Sequence, residues 1–239
     1  MQTEEDIRAA ILRLALAQRA RLADWLTGKV RAGEEPPFVG EARASYALSQ
    51  LHLTLEEYWA FEAASAQRHE FLNGAVYAMS GASVAHNQIT FGLAQALARR
   101  LRGGPCRVFL SDLKLRLELG EDQIIYYPDV MVACEPRRWG RDFIADPTLV
   151  AEVLSPSTRH IDQREKSLNY QRSPSIKEYL ILSQGECCAL VHCREQHWRA
   201  QRLEGADAML ELRSLGVSLS LGEIYDGARV AEPPLSAAQ

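Results

Sequence analysis

The sequence predicts an α/β protein in which central strands are covered by helices. Two segments are nearly continuous in apolar residues, Tyr126 to Cys134 and Thr148 to Leu154, which is typical of strands buried on both faces. A third segment, Val84 to Leu101, carries its apolar residues at helical spacing and is followed by two glycines and a proline, which end a helix. Strands alternating with helices in this way indicate an α/β core.

Composition and charge limit the function classes. The chain has 239 residues, 47% hydrophobic and 24% charged, enough for a sizeable core without disulfides or a structural metal. Five cysteines without a C-x-x-C pair predict neither a disulfide framework nor a zinc ribbon, and favour a reducing cytoplasm.

The acidic amino end and Arg13 within the first apolar run fit neither a signal peptide nor a membrane span. A net charge of -4 argues against a surface that binds nucleic acid everywhere, and leaves a local basic face open.

Three segments are predicted along the chain. Residues 1–43 form a helical extension and linker, because apolar residues recur at helical spacing and are followed by glycine, glutamate and a proline pair. Residues 44–230 form the main domain. Residues 231–239, with another proline pair, form a loose tail.

The elements of the main domain are predicted from caps, turns and periodicity. Thr54 and Glu57 have the spacing of a capping box, and their helix is expected to continue toward Glu70. Gly74 marks a turn into a strand from Ala75 to Met79. The remaining elements are a strand over Arg107 to Leu117, a helix from Asp162 to near Ser173, and strands over Glu178 to Leu182, Ala189 to His192 and Trp198 to Leu203.

Each of the two apolar strands contains one carboxylate, Asp129 in the first and Glu152 in the second. The strands follow one another in the chain, so the two carboxylates could lie side by side. A lone buried carboxylate tends to take up a proton and two neighbouring ones repel, so a shared cation would keep both ionised. Oxygen ligands favour Mg²⁺ or Mn²⁺ over zinc. The alternative is that each carboxylate pairs with an arginine or caps a loop.

Short segments around these residues occur in an order that is typical of one nuclease family. They are Leu53-Thr-Leu-Glu-Glu-Tyr, His69-Glu-Phe-Leu-Asn-Gly, His86-Asn, Tyr127-Pro-Asp-Val-Met-Val, Leu149-Val-Ala-Glu-Val-Leu, Asp162-Gln-Arg-Glu-Lys with Tyr170, and Ile176-Lys-Glu-Tyr-Leu. The ordered set, from about Leu53 to Ile224, resembles the Uma-type (Uma-two) putative restriction endonuclease family, a branch of the PD-(D/E)XK nuclease superfamily. The resemblance implies a restriction-endonuclease-like PD-(D/E)XK core, a mixed central sheet flanked by helices, with an N-terminal helical extension.

The resemblance also implies a catalytic site. Asp129 and Glu152 would bind the divalent metal, Mg²⁺ or Mn²⁺, and Glu70 would be a third acidic metal ligand. For Glu70 the alternative is a surface glutamate at a helix end. His86 lies on the helix face that carries Ile89, so we expect a structural histidine that orients a neighbour rather than a ligand or a base.

The lysine of the superfamily pattern is missing from its usual place. Leu154 stands two residues after Glu152, where that lysine is expected. The resemblance implies that Lys166 on the next helix replaces it, one helical turn before Tyr170 on the same face. The alternative for Lys166 is an ion pair with Asp162 on a solvated helix surface.

Basic residues suggest where DNA would bind. Four candidates lie in the loop between the acidic strands: Arg137, Arg138, Trp139 and Arg141. The arginines could hold phosphates and the tryptophan could stack on a base, although such residues also occur in loops for solubility. A second basic group lies around a helix end: Arg99, Arg100, Arg102 and Arg107. Asp112 and Lys114 share the polar face of their strand and either line the cleft or are solvated.

The predicted function is a cytoplasmic, metal-dependent DNA endonuclease that hydrolyses phosphodiester bonds. A homodimer with two-fold symmetry would strengthen DNA binding by a chain of negative net charge. The competing prediction is a catalytically idle module of the same fold that binds nucleic acid or a partner protein. Leu154 favours the idle module, and the joint presence of Asp129, Glu152 and Lys166 favours the enzyme.

Overall fold

The computed structural model describes residues 52–79, 82–135, 139–154, 162–228 and 230. For residues 162–164 it describes the backbone alone. The predicted extension over residues 1–43 and the tail over residues 231–239 lie outside the described residues, and both stay predictions.

The described residues form the following elements. The α-helices are α1 (Leu55–Ala64), α2 (Val84–Arg100), α3 (Asp162–Arg172) and α4 (Leu221–Tyr225). The strands of the first half are β1 (His69–Leu72), β2 (Ala75–Ala78), β3 (Arg107–Leu110), β4 (Lys114–Leu119), β5 (Asp122–Tyr126), β6 (Val130–Ala133) and β7 (Phe143–Ile144). The strands of the second half are β8 (Leu149–Leu154), β9 (Glu178–Ser183), β10 (Cys188–Cys193), β11 (Ala200–Glu204), β12 (Met209–Leu212) and β13 (Val217–Ser220).

The chain divides into two compact units, and the described part of the first comprises residues 52–79 and 120–126. The capping box at the start of α1 is confirmed: Thr54 N donates to Glu57 Oε2 at 2.8 Å, and Glu57 N donates to Thr54 Oγ1 at 3.2 Å. β1 pairs antiparallel with β2 and with β5. The core of this unit is aromatic and aliphatic and contains Tyr58, Phe61, Phe71, Val76 and Ile125.

The prediction that the first helix continues toward Glu70 is wrong. α1 ends at Ala64, and Glu70 lies in β1 opposite Tyr77 of β2. The cause is a two-residue hairpin turn: Asn73 and Gly74 have φ of 47° and 101°. Asn-Gly is the strongest sequence signal for this turn because both central residues must adopt positive φ. The chain therefore has to be extended just before Asn73.

The second unit contains a mixed sheet of six strands in the order β11-β10-β9-β8-β6-β3. β8 and β9 are parallel, and the other neighbours are antiparallel. Ala151 and Val153 of β8 share a buried cluster with Ile89 and Leu93 of α2. Glu152 alternates with them, points to the opposite sheet face, and contacts Tyr170 of α3. Helices therefore flank the sheet, as predicted.

Two of the predicted strands are interrupted. The segment from Arg107 to Leu117 divides into β3 and β4, and the segment from Tyr126 to Cys134 divides into β5 and β6. The second break contains Pro128, which has no N–H for a strand ladder. Asp129 consequently lies immediately before β6 rather than inside a strand. The sequence also predicted neither β1 nor the hairpin of β12 and β13.

A disulfide joins Cys106 and Cys134, against the expectation of none. Cys106 directly precedes β3 and Cys134 directly follows β6, and Arg107 lies opposite Ala133 in the antiparallel ladder. The pairing of the two strands therefore brings the cysteines together, which no spacing in the sequence indicates.

Among the residues that the structure describes, no helix is long and apolar enough to cross a membrane.

Candidate active site

Asp129, which directly precedes β6, lies opposite Glu152 of the neighbouring strand β8. In the antiparallel pair of β6 and β8, Val130 is opposite Ala151, and continuing this register by one residue places Asp129 opposite Glu152. Directly opposed residues have Cβ atoms about 4.5–5.5 Å apart and project from the same face. The two carboxylates that the sequence singled out are therefore brought together.

The Asp129 side chain takes the place of a ladder partner at the end of the β6–β8 pairing. Its Oδ2 accepts the N–H of Val153 at 2.7 Å. The residue is 9% exposed. The same Oδ2 lies 3.1 Å from Nε2 of His86, in the first turn of α2. Two donors therefore converge on one oxygen of this carboxylate.

The charge of His86 is coupled to both carboxylates. The hydrogen bond to Asp129 is the largest cause that raises the pKa of His86 above its ordinary value. The negative charges of Asp129 and Glu152 raise this pKa further, whereas burial of the imidazole lowers it in part. Sequence reasoning placed His86 as an orienting residue without identifying its neighbour. The structure identifies that neighbour as Asp129.

Glu152 is 5% exposed and receives two donors from α3. Lys166 Nζ donates to Glu152 Oε1 at 3.3 Å, and the Tyr170 hydroxyl donates to the same oxygen at 2.8 Å. Lys166 and Tyr170 are four residues apart and therefore lie on the same helix face. Lys166 is thus hydrogen-bonded to one carboxylate of the acidic pair. The Asp162 side chain, its alternative partner, lies outside the described residues.

Arg194 fixes the carboxyl end of α3. Its guanidinium donates to the carbonyls of Gln171, Ser173 and Ile176, and it lies 4.8 Å from the centre of the Trp198 ring. Helix carbonyls in the last turn have no partner within the helix. The arginine supplies donors to this end of α3, which helps to hold the helix that carries Lys166 and Tyr170.

Glu70 is half-buried in β1 of the first unit, whereas Asp129, Glu152 and Lys166 belong to the second. Its role as a third acidic ligand stays a prediction that rests on the resemblance. Within the described part of the chain, no group of three or more His, Cys, Asp and Glu side chains has the arrangement of a metal site. Two carboxylates nevertheless suit Mg²⁺, which protein sites bind through one or two carboxylates together with water and substrate phosphates.

The residues predicted to contact DNA have different surroundings. Arg137 and Arg138 lie outside the described residues. Trp139 is half-buried and packs edge-to-face on Phe109, with ring centres 5.1 Å apart, whereas Arg141 is exposed. The described surroundings thus leave Arg141 on the surface and pack the Trp139 ring against Phe109.

Most of the second basic group is engaged within the protein. Arg99 and Arg100 form ion pairs with Glu223, and Arg107 donates to the carbonyls of Gly104 and Cys106. These contacts favour a structural role over phosphate binding.

Lys114 shares a face of β4 with Arg116 and Glu118, but its own side chain is buried. It is 8% exposed, bonds Asp142 Oδ2 at 3.2 Å and lies 5.4 Å from the centre of the Tyr127 ring. Of the two alternatives, solvation is wrong for Lys114, because only Asp112 of the pair is exposed. A position of either residue in the cleft stays a prediction.

Comparison with known proteins identifies the family. Residues 55–222 match the Uma2 family, described as "Putative restriction endonuclease". The chain belongs to the Uma2 family. Two uncharacterised proteins of Synechocystis sp. are similar to this Uma2 chain. One is 36% identical and covers 73% of this chain and 92% of its own length, and the other is 32% identical and covers 66% and 92%.

The Uma2 fold also matches a solved structure. A protein from Anabaena variabilis, described as "a putative nuclease belonging to DUF820", superimposes with a TM-score of 0.60 over 72% of this chain and 97% of its own, at 17% identity. The predicted resemblance is confirmed, and so is the predicted mixed sheet flanked by helices. Membership in Uma2 supports a nuclease, and restriction-endonuclease-like families generally use a divalent metal.

Proposed function

We propose that this Uma2 protein is a metal-dependent DNA endonuclease that hydrolyses phosphodiester bonds. The observation that carries the proposal is the opposed pair of buried carboxylates, Asp129 and Glu152, with Lys166 bonded to the second. A structural ion pair needs one carboxylate for one lysine. When His86 is neutral, a second carboxylate beside the first leaves excess negative charge that a divalent cation would neutralise.

The residues of the chain have separable roles in this proposal. Asp129 and Glu152 would hold Mg²⁺ or Mn²⁺. A cation bound there would supply charge that polarises a phosphate oxygen and makes water a better nucleophile at neutral pH. Lys166 would orient that water or offset phosphate charge in the transition state. Tyr170 would hold Glu152 in place through its hydroxyl.

The remaining parts of the proposal concern the third acid and the partners. We propose Glu70 as a further acidic ligand and Arg141, Arg137 and Arg138 as phosphate contacts, with Trp139 as a base contact. The substrate would be DNA in the cytoplasm. Association into a homodimer would double the phosphate contacts that a chain of negative net charge can offer.

A plasmid assay tests the proposal. Supercoiled plasmid is incubated with the wild-type chain and with Asp129→Ala, Glu152→Ala, Lys166→Ala and Glu70→Gln, with Mg²⁺, with Mn²⁺ and with chelator. We expect the wild-type chain to nick or linearise DNA only with metal, and the variants at Asp129 and Glu152 to be inactive. The matched control is Asp207→Asn, which changes an exposed aspartate and should cleave as the wild type does.

The outcomes separate the assignments. Loss of cleavage in the two carboxylate variants but not in Lys166→Ala would retain the metal site and reject the lysine. Full activity of Glu70→Gln would remove Glu70 from the site. If the wild-type chain cleaves none of supercoiled, relaxed and single-stranded DNA with either metal, the endonuclease proposal is rejected.

The second candidate is a catalytically idle nuclease fold that binds nucleic acid or a partner protein. Leu154 at the usual lysine position favours it. DNA binding with unchanged affinity in Asp129→Ala, and without cleavage in the wild type, would support this candidate over the enzyme.

A further inference from the structure

His86 connects the start of α2 to the acidic pair. Its Nε2 lies 3.1 Å from Asp129 Oδ2, and the side chains of His86 and Asp129 are 19% and 12% exposed. A carboxylate oxygen accepts hydrogen bonds when ionised, so Nε2 carries the proton in this contact. The contact therefore orients the imidazole and the carboxylate toward each other.

The backbone of His86 is itself held in place. Its N–H donates to the Ser83 hydroxyl, which caps α2, and that hydroxyl donates to Oε1 of Gln184. The N–H of Gln184 in turn donates to the carbonyl of Leu154, at the end of β8. A chain of hydrogen bonds thus links the first turn of α2 to the strand that carries Glu152. The backbone of His86 is therefore held in place independently of Asp129.

Both hydrogen bonds of the Asp129 side chain end on one oxygen. Oδ2 accepts from His86 Nε2 and from the N–H of Val153 at 2.7 Å. Two donors from different elements fix the rotamer and the plane of the carboxylate. Among the described residues, Oδ1 of Asp129 accepts no hydrogen bond, so this oxygen is the one available to a ligand.

We infer that His86 is a positioning residue of the metal site: it holds Asp129 through Oδ2 so that Oδ1 is oriented to bind the divalent cation. The inference rests on the proposed function, because it requires a cation at Asp129 and Glu152. Hydrogen-bond partners of metal-binding side chains typically contribute about 10–100-fold to metal affinity or activity. An imidazole that only filled space in the helix start would contribute nothing to metal affinity.

The test measures Mn²⁺ binding by isothermal titration calorimetry on the full chain without DNA. His86→Leu removes the donor, and we expect its Mn²⁺ affinity to fall about 10–100-fold. His86→Gln retains an N–H that can reach Oδ2, and we expect its affinity to stay within about 3-fold of the wild type. His192→Gln and His192→Leu are matched controls. Within the described part of the chain, the His192 ring hydrogen-bonds only the Trp198 carbonyl and stacks on Tyr179, so both variants should bind Mn²⁺ as the wild type does. Urea unfolding of every variant checks that the fold is retained.

Cleavage kinetics give the second readout. In His86→Leu the Mn²⁺ concentration for half-maximal cleavage should rise about 10–100-fold, while the rate at saturating Mn²⁺ stays within about 3-fold. Unchanged Mn²⁺ affinity in folded His86→Leu, or equal losses in His86→Gln and His86→Leu, would overturn the inference and leave the proposed function standing. A wild-type chain that binds no Mn²⁺, or an Asp129→Asn variant that binds it normally, would overturn both.

Discussion

Glu152 and Glu178 are buried carboxylates on neighbouring parallel strands, and their surroundings differ. Glu152, 5% exposed, lies in β8, faces Asp129 and is bonded by Lys166 and Tyr170. Glu178, 0% exposed, begins β9 and accepts hydrogen bonds from the hydroxyl and the N–H of Ser214. Burial raises the pKa of Glu178, although the hydrogen bonds from Ser214 partly oppose this rise.

The difference shows that burial of an acid does not by itself mark a functional site. Glu178 is satisfied by one serine and joins β9 to the turn between β12 and β13, which is a structural role. Glu152 shares its surroundings with a second carboxylate, an ammonium group and a buried hydroxyl. Charged groups collected in one place, at a cost in desolvation, are the pattern that chemistry requires.

We expect the largest difference in cleavage rate when each of the two glutamates is replaced by glutamine. Glu152→Gln should abolish metal-dependent plasmid cleavage, because it removes a charged ligand of the proposed cation. Glu178→Gln should cleave within about 3-fold of the wild type, since it changes a hydrogen-bonded acid of similar size away from the pair. Cleavage rates at saturating Mn²⁺ decide the matter. Similar rates for the two variants would remove the distinction between the sites.

Replacing the lysine next to Glu152 should have the second largest effect. Lys166→Met removes the ammonium group and keeps the length of the side chain, and we expect the cleavage rate to fall about 100-fold, as for loss of one charge-stabilising donor. The control is Lys177→Met, because among the residues that the structure describes Lys177 Nζ donates only to the Pro174 carbonyl, at an exposed position. Single-turnover rates with both chains folded test the expectation. If Lys166→Met cleaves as fast as Lys177→Met, Lys166 has no catalytic role.

Removing the Tyr170 hydroxyl, which donates to Glu152, should have a smaller effect. Tyr170→Phe keeps the ring, which packs on Tyr179 with centres 4.9 Å apart, and removes the hydrogen bond to Glu152. We expect about a 10-fold lower cleavage rate. Tyr225→Phe is the matched control, because its buried hydroxyl bonds the carbonyls of Ser183 and Cys188.

Stability measurements complete the tyrosine comparison. Each Tyr→Phe change should cost about 1 kcal/mol of unfolding free energy, measured by urea titration. Equal costs in stability with a loss of cleavage in Tyr170→Phe alone would assign the hydroxyl to the site. A loss of cleavage in both variants would indicate a general effect of weakened packing.

The sequence predicts those parts of the fold that depend on local or strongly periodic patterns. The capping box of α1, the apolar stripe of α2, and the apolar strands β6 and β8 are all recognisable because each pattern is complete within a few residues. The pairing of Asp129 with Glu152 could be anticipated because the two strands follow one another. The hairpin of β1 and β2 also has a local signal, Asn73-Gly74, which the helical interpretation of the preceding residues overlooked.

The parts that the sequence did not predict depend on contacts between distant residues. The bond between His86 and Asp129 joins residues 43 apart, and that between Tyr170 and Glu152 joins residues 18 apart. Neither spacing corresponds to a helix or strand repeat. The disulfide of Cys106 and Cys134 likewise follows from the pairing of β3 with β6. Such contacts require the sheet order, which periodicity does not contain.

The smallest expected effect concerns the pH dependence of stability at Glu178. Burial raises its pKa in the folded state above the ordinary value of 4.5, so the folded chain binds this proton more tightly than the unfolded chain. The stabilising contribution is therefore fully present below the unfolded-state pKa and is lost as pH rises through the folded-state pKa. Glu178→Gln does not titrate and should therefore become more stable relative to the wild type as the pH rises from 4 to 7. Urea unfolding of both chains at these two pH values measures the difference, and a difference that is independent of pH would show that Glu178 ionises in the folded chain as readily as in the unfolded one.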